Sequence, residues 1–541
     1  MSPKTTRHPR PGLLLALLLL LALCAALGGQ ANAAPAAPAK SVILFIADGC
    51  GAEQYTLARW FKGAPLAFDG IMTGGVRTFI ADSVVADSAP AATAYASGLR
   101  SSNKVIGLGP SPKGLLPGQP DPGAEALRPL ATTLEAARLM GKSTGLVATA
   151  RITHATPAAF AAHVPKRSQE AEIAKQMAHQ GLTVLMGGGR RYFLPKSAGG
   201  DRGDGLDLLA EMRRQGCDTA ETSADLDKIK SGRLVGLFAA DHLAAELDRP
   251  QLAPDQPTLA RMTAKALDLL AKNPKGFFLM VEGSQIDWAD HANDPAHLLG
   301  DMLAFDAAVD KGLDFARRHP GTMVVVVSDH NTGGMSIGNR ASDKCYNAMK
   351  SAALLEPLGK MKVTAKTMWK QMGEEVTADK LRQAVAGGWG LDITLEEAER
   401  IVALSGPYDK ESKHYPLGEV LCPKYTMIGW TTHGHTGGDV PLFAFGPGRP
   451  TGLMAAPELG LHLAKALGAD LRKLDQRLFA EAGSALAGAS YSDEPGPGGW
   501  VLKASGPGGQ AVFVAGSNLA QVGGRSVALE GVVVRVEDTG R

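Results

Sequence analysis

Short, unbroken apolar runs constrain the fold of this chain more than any other feature of its sequence. The run at 42–47 reads Val-Ile-Leu-Phe-Ile-Ala, ends at Asp48, and is followed by a stretch with helical spacing. Strands that are apolar on both faces are typical of parallel sheets covered by helices on both sides. We therefore expect an α/β fold with a large central, mostly parallel sheet flanked by helices. Further strands are predicted at 145–150, 182–186, 234–238, 277–281, 323–327 and 442–445, and helices at 132–140, 168–180, 258–271 and 298–317.

Changes in composition divide the chain into segments. Residues 34–485 are predicted to form the main domain, and the polar, helix-like sequence at 336–425 is predicted to be a helical insertion within it. A Pro/Gly-rich run at 495–499 is interpreted as a linker. The alternating pattern at 501–536 predicts a small β-rich module, so that residues 486–541 comprise linker and module.

The N-terminus has the features of a secretory signal peptide. Basic residues precede the apolar run at 13–27, and Ala31-Asn32-Ala33 provides a small-residue cleavage site. We predict that residues 1–33 are removed and that the mature protein is soluble and periplasmic or secreted. With 56 Lys and Arg against 54 Asp and Glu, the net charge of +2 gives no reason to expect nucleic acid as a specific partner.

Four cysteines remain after the predicted cleavage site. In an oxidising compartment they could pair, and the bridge favoured by the sequence joins Cys345 to Cys422, although spacing does not determine connectivity. Cys50 lies in a tight Gly-rich turn and is interpreted as a small buried residue.

Acidic and histidine residues gather where the predicted strands end. Asp48 ends the first strand, Glu282 and Asp287 follow the strand at 277–281, and Asp329-His330 ends the strand at 323–327. In open α/β sheets, ligands bind beyond the carboxyl ends of the strands. We therefore expect these side chains to meet at one edge of the sheet.

The segment 87–98 is predicted to be a short helix that begins at Ser88. Small residues run through it, Pro90 stands in the first turn, and Gly98 can close the far end. The N-terminus of a helix favours an anion, so a phosphate or sulfate ester could lie beside the Ser88 hydroxyl. Taken alone, the segment fits a simple N-terminal cap by Asp87 and Ser88 equally well.

The mixture of candidate ligands indicates metal chemistry. Asp287 and His291 have the i, i+4 spacing that places both on one helix face. Carboxylates with imidazoles suit zinc, and carboxylates with a hydroxyl suit magnesium. Two metal ions could activate Ser88 and stabilise the leaving oxygen, so that Ser88 attacks phosphorus and forms a phosphoserine that water then hydrolyses.

These motifs, in this order, resemble the alkaline phosphatases over roughly residues 41–446. The motifs are Asp48-Gly-Cys-Gly, Asp87-Ser88-Ala with Ala92-Thr93-Ala94, Val281-Glu282-Gly283 to His291, Asp329-His330, and His435-Thr436-Gly437. The resemblance implies that 34–485 is the catalytic domain of an enzyme that releases inorganic phosphate from small phosphate monoesters at two zinc ions and one magnesium ion. It also allows a homodimer and an alkaline pH optimum.

The resemblance also assigns roles to individual residues. It implies that Ser88 is the nucleophile and that Arg167 grips the phosphate. The implied metal ligands are Asp287, His291 and His435 for one zinc, Asp48, Asp329 and His330 for the other, and Asp48, Thr156 and Glu282 for magnesium.

Two positions differ from the best-known bacterial members of that family. His154 stands where those enzymes have an aspartate near magnesium, and Trp288 stands where they have a lysine near phosphate. We interpret both as tuning, with His154 left outside the predicted ligand set. His433 is expected to have a supporting or loop role, and His163 and His242 are expected to be structural.

Two other functions remain open from the sequence. A sulfatase or phosphodiesterase of the same superfamily would share the strand-end metals, although Ala92 stands where the sulfatase signature requires arginine. A non-catalytic exported protein that binds phosphate or metal would need no nucleophile, so Ser88 argues against it.

Overall fold

The computed structural model describes residues 38–496 and 498–536. The predicted signal peptide, residues 1–33, lies outside the described residues. Within the described residues, no helix is long and apolar enough to cross a membrane.

The described residues contain strands and helices in close alternation through the first two thirds of the chain. The strands are β1 (Ser41–Ala47), β2 (Met72–Arg77), β3 (Ser143–Arg151), β4 (Val184–Gly188), β5 (Cys217–Ala220), β6 (Arg233–Leu237), β7 (Phe277–Gly283), β8 (Thr322–Val327), β9 (Asn331–Thr332), β10 (Ser336–Ile337), β11 (Ile428–Gly429), β12 (His435–Thr436), β13 (Val440–Phe445), β14 (Gly452–Ala455), β15 (Ser490–Gly496), β16 (Gly499–Gly506), β17 (Gly509–Val514), β18 (Leu519–Val522) and β19 (Arg525–Ala528).

The helices follow the same order along the chain. They are α1 (Ala52–Lys62), α2 (Ser88–Ser97), α3 (Thr133–Leu139), α4 (Ala155–Ala161), α5 (Glu170–His179), α6 (Leu208–Arg214), α7 (Ser223–Lys228), α8 (Arg249–Leu252), α9 (Leu259–Leu270), α10 (Gln285–His291), α11 (Pro295–Arg318), α12 (Ser351–Lys360), α13 (Ala365–Gln371), α14 (Ala378–Trp389), α15 (Leu395–Ser405), α16 (Pro416–Tyr425), α17 (Ala456–Ala466), α18 (Leu471–Leu478) and α19 (Ala482–Ala485).

Ten of these strands form one large sheet in the order β14-β2-β13-β8-β1-β7-β3-β4-β6-β5. Every pairing in it is parallel except those of β13, which runs antiparallel to β2 and to β8. The predicted α/β class with a mostly parallel sheet is confirmed. β1 lies between β7 and β8, as an all-apolar strand with both neighbours parallel requires.

The central strands bury both of their faces. Along β1, Ile43 and Phe45 belong to one hydrophobic cluster, and Val42, Leu44 and Ile46 belong to a second. Because successive side chains of a strand point to opposite faces, these clusters lie on the two sides of the sheet. Helices cover both clusters. The acidic side chains lie beyond the ends of the strands and not within the apolar faces.

Some strands carry no clear signal in the sequence. β2 is half-exposed and contains Gly74 and Gly75. Its sequence therefore does not show the apolar run that marks the central strands. A side chain at Gly74 would collide with the backbone of Gly452 in β14, which explains the glycine. Strands at or near the edge of the sheet are held by hydrogen bonds to the backbones of their neighbours. Their side chains need not form an apolar run, so the sequence does not predict these strands.

Five helices, α12 to α16, lie in the segment predicted as an insertion, and the short strands β10 and β11 pair across its two ends. The domain boundaries at 336, 425 and 485 remain predictions. The β-rich C-terminal tail is confirmed as a five-stranded antiparallel sheet in the order β15-β16-β17-β18-β19.

The linker interpretation of the Pro/Gly-rich run is wrong. Pro495 and Gly496 end β15 and pair with Trp500 and Gly499 of β16, so the run forms a hairpin. Pro and Gly serve tight turns as readily as linkers, and composition alone does not separate the two.

The expected bridge between Cys345 and Cys422 is also absent, and all four cysteines of the described residues are free thiols. Cys345 is exposed, whereas Cys422 is buried in α16, where its thiol donates to the carbonyl of Asn293 at 3.3 Å. Cys50 is fully buried, as expected.

Candidate active site

The ends of three adjacent strands bring the predicted acidic residues together. Asp48 follows β1, Glu282 lies near the end of β7, and Asp329 follows β8 by two residues. The register aligns Ile46 with Glu282 on one side and with Val327 on the other. The three carboxylates are almost completely buried. The predicted edge of the sheet is therefore where these groups meet.

Ser88 is the first residue of α2, and Asp87 is its N-cap. The Asp87 carboxylate accepts a hydrogen bond from the backbone N–H of Ala89 at 3.4 Å, so capping is one of its roles. The Ser88 hydroxyl lies 3.1 Å from Nε2 of His330 and is almost fully buried. The helix thus places the predicted nucleophile against a predicted metal ligand.

Asp287 is the centre of the first group of candidate ligands. Ligand atoms of Asp287, His330 and His435 all lie within 4.8 Å of one another. Nε2 of His291 lies 3.3 Å from the Asp287 carboxylate, one helical turn along α10. The predicted set of Asp287, His291 and His435 is therefore assembled, and His330 stands beside it.

A second group consists of Asp48, Asp329 and His330, whose ligand atoms also lie within 4.8 Å of one another. Nε2 of His330 is 3.5 Å from the Asp48 carboxylate and 3.4 Å from that of Asp329. All three residues are buried. This is the set of side chains expected for the second zinc.

A third group contains Asp48, Glu282 and His154, again within 4.8 Å. His154 is the N-cap of α4, and Thr156 follows in the first turn, fully buried. The sequence analysis left His154 outside the ligand set, yet the structure places it with the carboxylates. Its position two residues before Thr156 is the signal that could have included it.

Several buried polar atoms in these groups have no hydrogen-bond partner among the described residues. Buried polar atoms are normally paired, so a cluster of unpaired acceptors indicates that something else satisfies them. Cations fit, because most of these atoms are carboxylate oxygens. The atoms are Asp48 Oδ1, Asp329 Oδ2, both Glu282 oxygens and Thr156 Oγ1.

The electrostatics of the carboxylates also favour a bound cation. Burial raises the pKa of Glu282 to about 7 and that of Asp329 to about 6. Burial, followed by the charge of Asp329, raises the pKa of Asp48 well above its usual range. Carboxylates this close can all be ionised only if positive charge lies between them.

The imidazoles respond to the same surroundings in two ways. Burial lowers the pKa of His330 to about 3, so its ring is neutral, as a metal ligand must be. Burial would also lower the pKa of His291, but the Asp287 carboxylate outweighs it and raises that pKa to about 9. Asp287 and His291 form an ion pair in the absence of a cation.

Arg167 lies beside the nucleophile. One guanidinium nitrogen donates to Asp87 at 2.5 Å, and the other lies 2.9 Å from Nε2 of His154. Asp87 is also the cap of the helix that begins with Ser88, so this ion pair joins the arginine to that helix. The position fits a phosphate-binding role for Arg167.

Trp288 is half-buried and packs against two histidine rings. Its ring is 4.1 Å from that of His242 and 5.5 Å from that of His154, measured between centroids.

The other histidines of this region make hydrogen bonds within the protein. Nδ1 of His242 accepts from the backbone N–H of Arg151 at 3.1 Å, and His163 is fully buried against Glu135. His433 exchanges ring-to-carbonyl contacts with His291.

Thr332 is a supporting residue that the sequence analysis missed. Its hydroxyl donates to the Asp287 carboxylate at 2.6 Å, and its strand, β9, pairs with β12, which carries His435. A threonine two residues after Asp329-His330 carries no distinctive signal. Only the pairing of β9 with β12 reveals its role.

Comparison with known proteins agrees with this geometry. The family model for alkaline phosphatase matches residues 39–467. Alkaline phosphatase 3 of Bacillus subtilis is 34% identical over 445 aligned positions, and the match covers 79% of this chain and 89% of that protein. The crystal structure of Thermus thermophilus alkaline phosphatase has a TM-score of 0.71 at 28% identity and covers 82% of this chain and 95% of that one.

A further solved structure is that of a relative with a bound metal ion. It is the alkaline phosphatase of the Antarctic bacterium TAB5, as a variant with aspartate in place of a histidine and with magnesium in its M3 site, at 26% identity and a TM-score of 0.57. It covers 80% of this chain and 99% of that one. The chain belongs to the alkaline phosphatase family, whose members are phosphomonoester hydrolases.

Proposed function

We propose that this protein hydrolyses small phosphate monoesters through a phosphoserine formed on Ser88. The observation that carries the proposal is the Ser88 hydroxyl, buried at a helix N-terminus and 3.1 Å from His330, at the edge of three groups of candidate metal ligands. Such an arrangement presents a nucleophile, an anion-binding helix end and cation sites to one ester.

The proposed cofactors are two zinc ions and one magnesium ion. Asp287, His291 and His435 would hold one zinc, and Asp48, Asp329 and His330 the other. Asp48, Thr156 and Glu282 would hold magnesium, and the proximity of His154 to that group adds a possible nitrogen ligand. When bound, the ions would activate the nucleophile and stabilise the leaving oxygen.

The residues of the chain would then carry the reaction in two steps. The Ser88 oxygen attacks phosphorus, the new Ser88 O–P bond forms, and the ester P–O bond breaks with release of the alcohol. Water then attacks the phosphoserine, which restores the Ser88 hydroxyl and frees inorganic phosphate. Arg167 supplies donors to the phosphoryl oxygens in both steps, and its planar guanidinium suits that contact.

The location and assembly are proposed from the sequence alone. Residues 1–33 would direct export, so that the protein acts in the periplasm or outside the cell. A homodimer fits the family resemblance. Neither proposal alters the chemistry of the site.

The first test compares substrates. The purified chain, with zinc and magnesium at alkaline pH, should release p-nitrophenol from p-nitrophenyl phosphate and lose this activity on chelation. The bis-ester and the sulfate are the comparison substrates. Faster release from either would support the sulfatase or phosphodiesterase alternative, and no release from any would favour a binding protein.

The second test removes the nucleophile. Ser88→Ala should lower turnover at least about a thousandfold and retain phosphate binding, because only the attacking oxygen is lost. Ser97→Ala is the matched control, since Ser97 ends the same helix and bonds only the backbone of Thr93 and Leu99. Unchanged turnover in Ser88→Ala would exclude the phosphoserine pathway.

A further inference from the structure

The backbone of Arg167 rests on a short loop, residues 104–108, which we call the shelf. The Arg167 N–H donates to the carbonyl of Lys104 at 2.8 Å. Ile106 and Val164 exchange two backbone hydrogen bonds of 3.0 and 2.9 Å. The segment that carries Arg167 is therefore attached to the shelf at two points three residues apart.

The shelf is also attached to the nucleophile's helix. The backbone N–H of Gly107 donates to Oγ1 of Thr93, in the middle of α2, at 3.0 Å. Lys104 has a φ of 67°, in the left-handed region that residues other than glycine seldom occupy. A conformation of this kind persists where the surroundings fix it, so what packs on the shelf affects the placement of Arg167.

The C-terminal tail, residues 532–536, packs on the outer side of the shelf. Val536, Val105 and Leu108 form a separate hydrophobic cluster, and they are 3%, 5% and 0% exposed. Val534 and Leu127 pack against it. Val105 thus faces the tail, whereas its neighbour in the shelf, Ile106, belongs to the main core.

The C-terminal sheet holds the tail in place. The N–H of Val533 donates to the carbonyl of Ser517 at 2.9 Å, and the carbonyl of Val533 accepts from Gly516 at 2.7 Å. Arg535 donates to Asp493 at 2.9 Å and stacks over Trp500 with its guanidinium carbon 3.7 Å from the ring centroid. The C-terminal sheet therefore holds the residues immediately before Val536, and Val536 lies against the shelf.

We propose that the C-terminal tail is a positioning element for Arg167, acting through Val536 and the shelf. This rests on the proposed phosphate-binding role of Arg167. Val536 lies against Val105 in the shelf cluster, so its influence would pass through Val105 to the backbone of Lys104, which accepts from Arg167. The C-terminal module would then contribute to phosphate affinity from outside the catalytic domain.

The test substitutes Val536 in the full chain. Val536→Ser should raise KM for p-nitrophenyl phosphate and the dissociation constant of inorganic phosphate about 3- to 10-fold, with a much smaller change in kcat. Val536→Ile, which keeps the apolar contact, should restore both values. Val527→Ser is the matched control, because Val527 lies in the same module at 42% exposure and outside the shelf cluster.

A double-mutant cycle distinguishes an effect on the position of Arg167 from a general loss of stability. In an Arg167→Ala background, Val536→Ser should have no further effect on phosphate binding measured by calorimetry, because the group it positions is gone. Parental phosphate affinity in Val536→Ser, or the same loss with and without Arg167, would overturn the proposal.

The phosphate measurement also keeps this proposal distinct from the proposed function. A parent chain that binds phosphate and hydrolyses no monoester contradicts the proposed function alone, and the effect of Val536→Ser on binding still decides the role of the tail. A parent chain that binds no phosphate contradicts both.

Discussion

His154 shows how one side chain can set the character of a candidate metal site. It lies with Asp48 and Glu282 in the third group of ligands, where an aspartate would add a third negative charge. Burial, followed by the charge of Arg167, lowers the pKa of His154 well below its usual range, so the ring is neutral. A site in which a neutral imidazole stands in place of a third carboxylate is less negative and suits magnesium less well.

Replacing His154 should therefore change magnesium binding. His154→Asp is expected to raise magnesium affinity roughly tenfold or more, since it supplies a hard oxygen ligand and a negative charge. Magnesium titration of the chelated protein, followed by calorimetry, measures the effect. His319→Asp, at an exposed histidine outside the ligand groups, is the control, and equal affinity in His154→Asp and the parent would remove His154 from the third site.

At the scale of elements, α2 owes its position to the smallness of its residues. It contains six residues that are alanine or proline, every residue of it is buried, and it packs against α4 and α17. Gly460 of α17 lies so close that a Cβ there would be 2.2 Å from the carbonyl oxygen of Ala94. This close approach fixes the C-terminal half of α2, and through it the helix whose first residue is Ser88.

Gly460→Ala should disturb this contact. The added methyl group must push α17 away from α2, at a cost of about 1–3 kcal/mol for overpacking. Both the melting temperature and the turnover of p-nitrophenyl phosphate are expected to fall. Gly359→Ala is the control, because Gly359 lies in exposed α12 with nothing within 4 Å, and alanine there should be neutral or stabilising by up to about 1 kcal/mol.

An equal melting temperature for Gly460→Ala and Gly359→Ala would mean that α17 can shift away from α2 without loss of stability. The position of Ser88 would then depend on the caps and strand ends alone.

For the whole molecule, the buried carboxylates of the candidate metal groups are expected to lower folding stability unless cations are bound. The sheet brings Asp48, Glu282 and Asp329 from distant parts of the sequence into one buried region. Desolvation and mutual repulsion raise the pKa of each carboxyl. Bound cations would reverse both effects, so metal affinity and folding stability are linked.

Relative to the metal-loaded protein, the chelated protein should consequently lose stability as the pH rises. Glu282 and Asp329 have ordinary pKa values of 4.5 and 3.8 and folded values of about 7 and about 6. Between these limits the folded state holds protons that the unfolded state releases, so rising pH favours unfolding. These two carboxyls should lower the melting temperature in chelator between about pH 4 and pH 7. The effect is measured as a widening difference from the metal-loaded protein, because buried histidines such as His297 and His414, with pKa values lowered to about 3, act in the opposite direction in both samples.

Glu282→Gln provides the check on this interpretation, because it removes one titrating group and keeps its shape. Its melting temperature in chelator should depend less on pH than that of the parent. An identical pH dependence would assign the loss of stability to other groups.

Several features of the protein could be predicted from short stretches of sequence. The apolar run at 42–47 became β1, and Asp48 at its end became a buried ligand candidate, because strand and strand end are encoded within a few residues. Ser88 could be placed at a helix start for the same reason. Where the signal was composition alone, as at Pro495–Gly496, the linker prediction failed.

The sequence by itself determined the α/β class, the polar ends of the central strands and the helix that begins with Ser88, since hydrophobic period and helix caps are local properties. Only the tertiary structure decided that Thr332 supports Asp287 and that the C-terminal tail covers the shelf under Arg167. Those contacts join residues tens to hundreds of positions apart. Packing of the whole chain brings these residues together, and no short sequence pattern predicts such contacts.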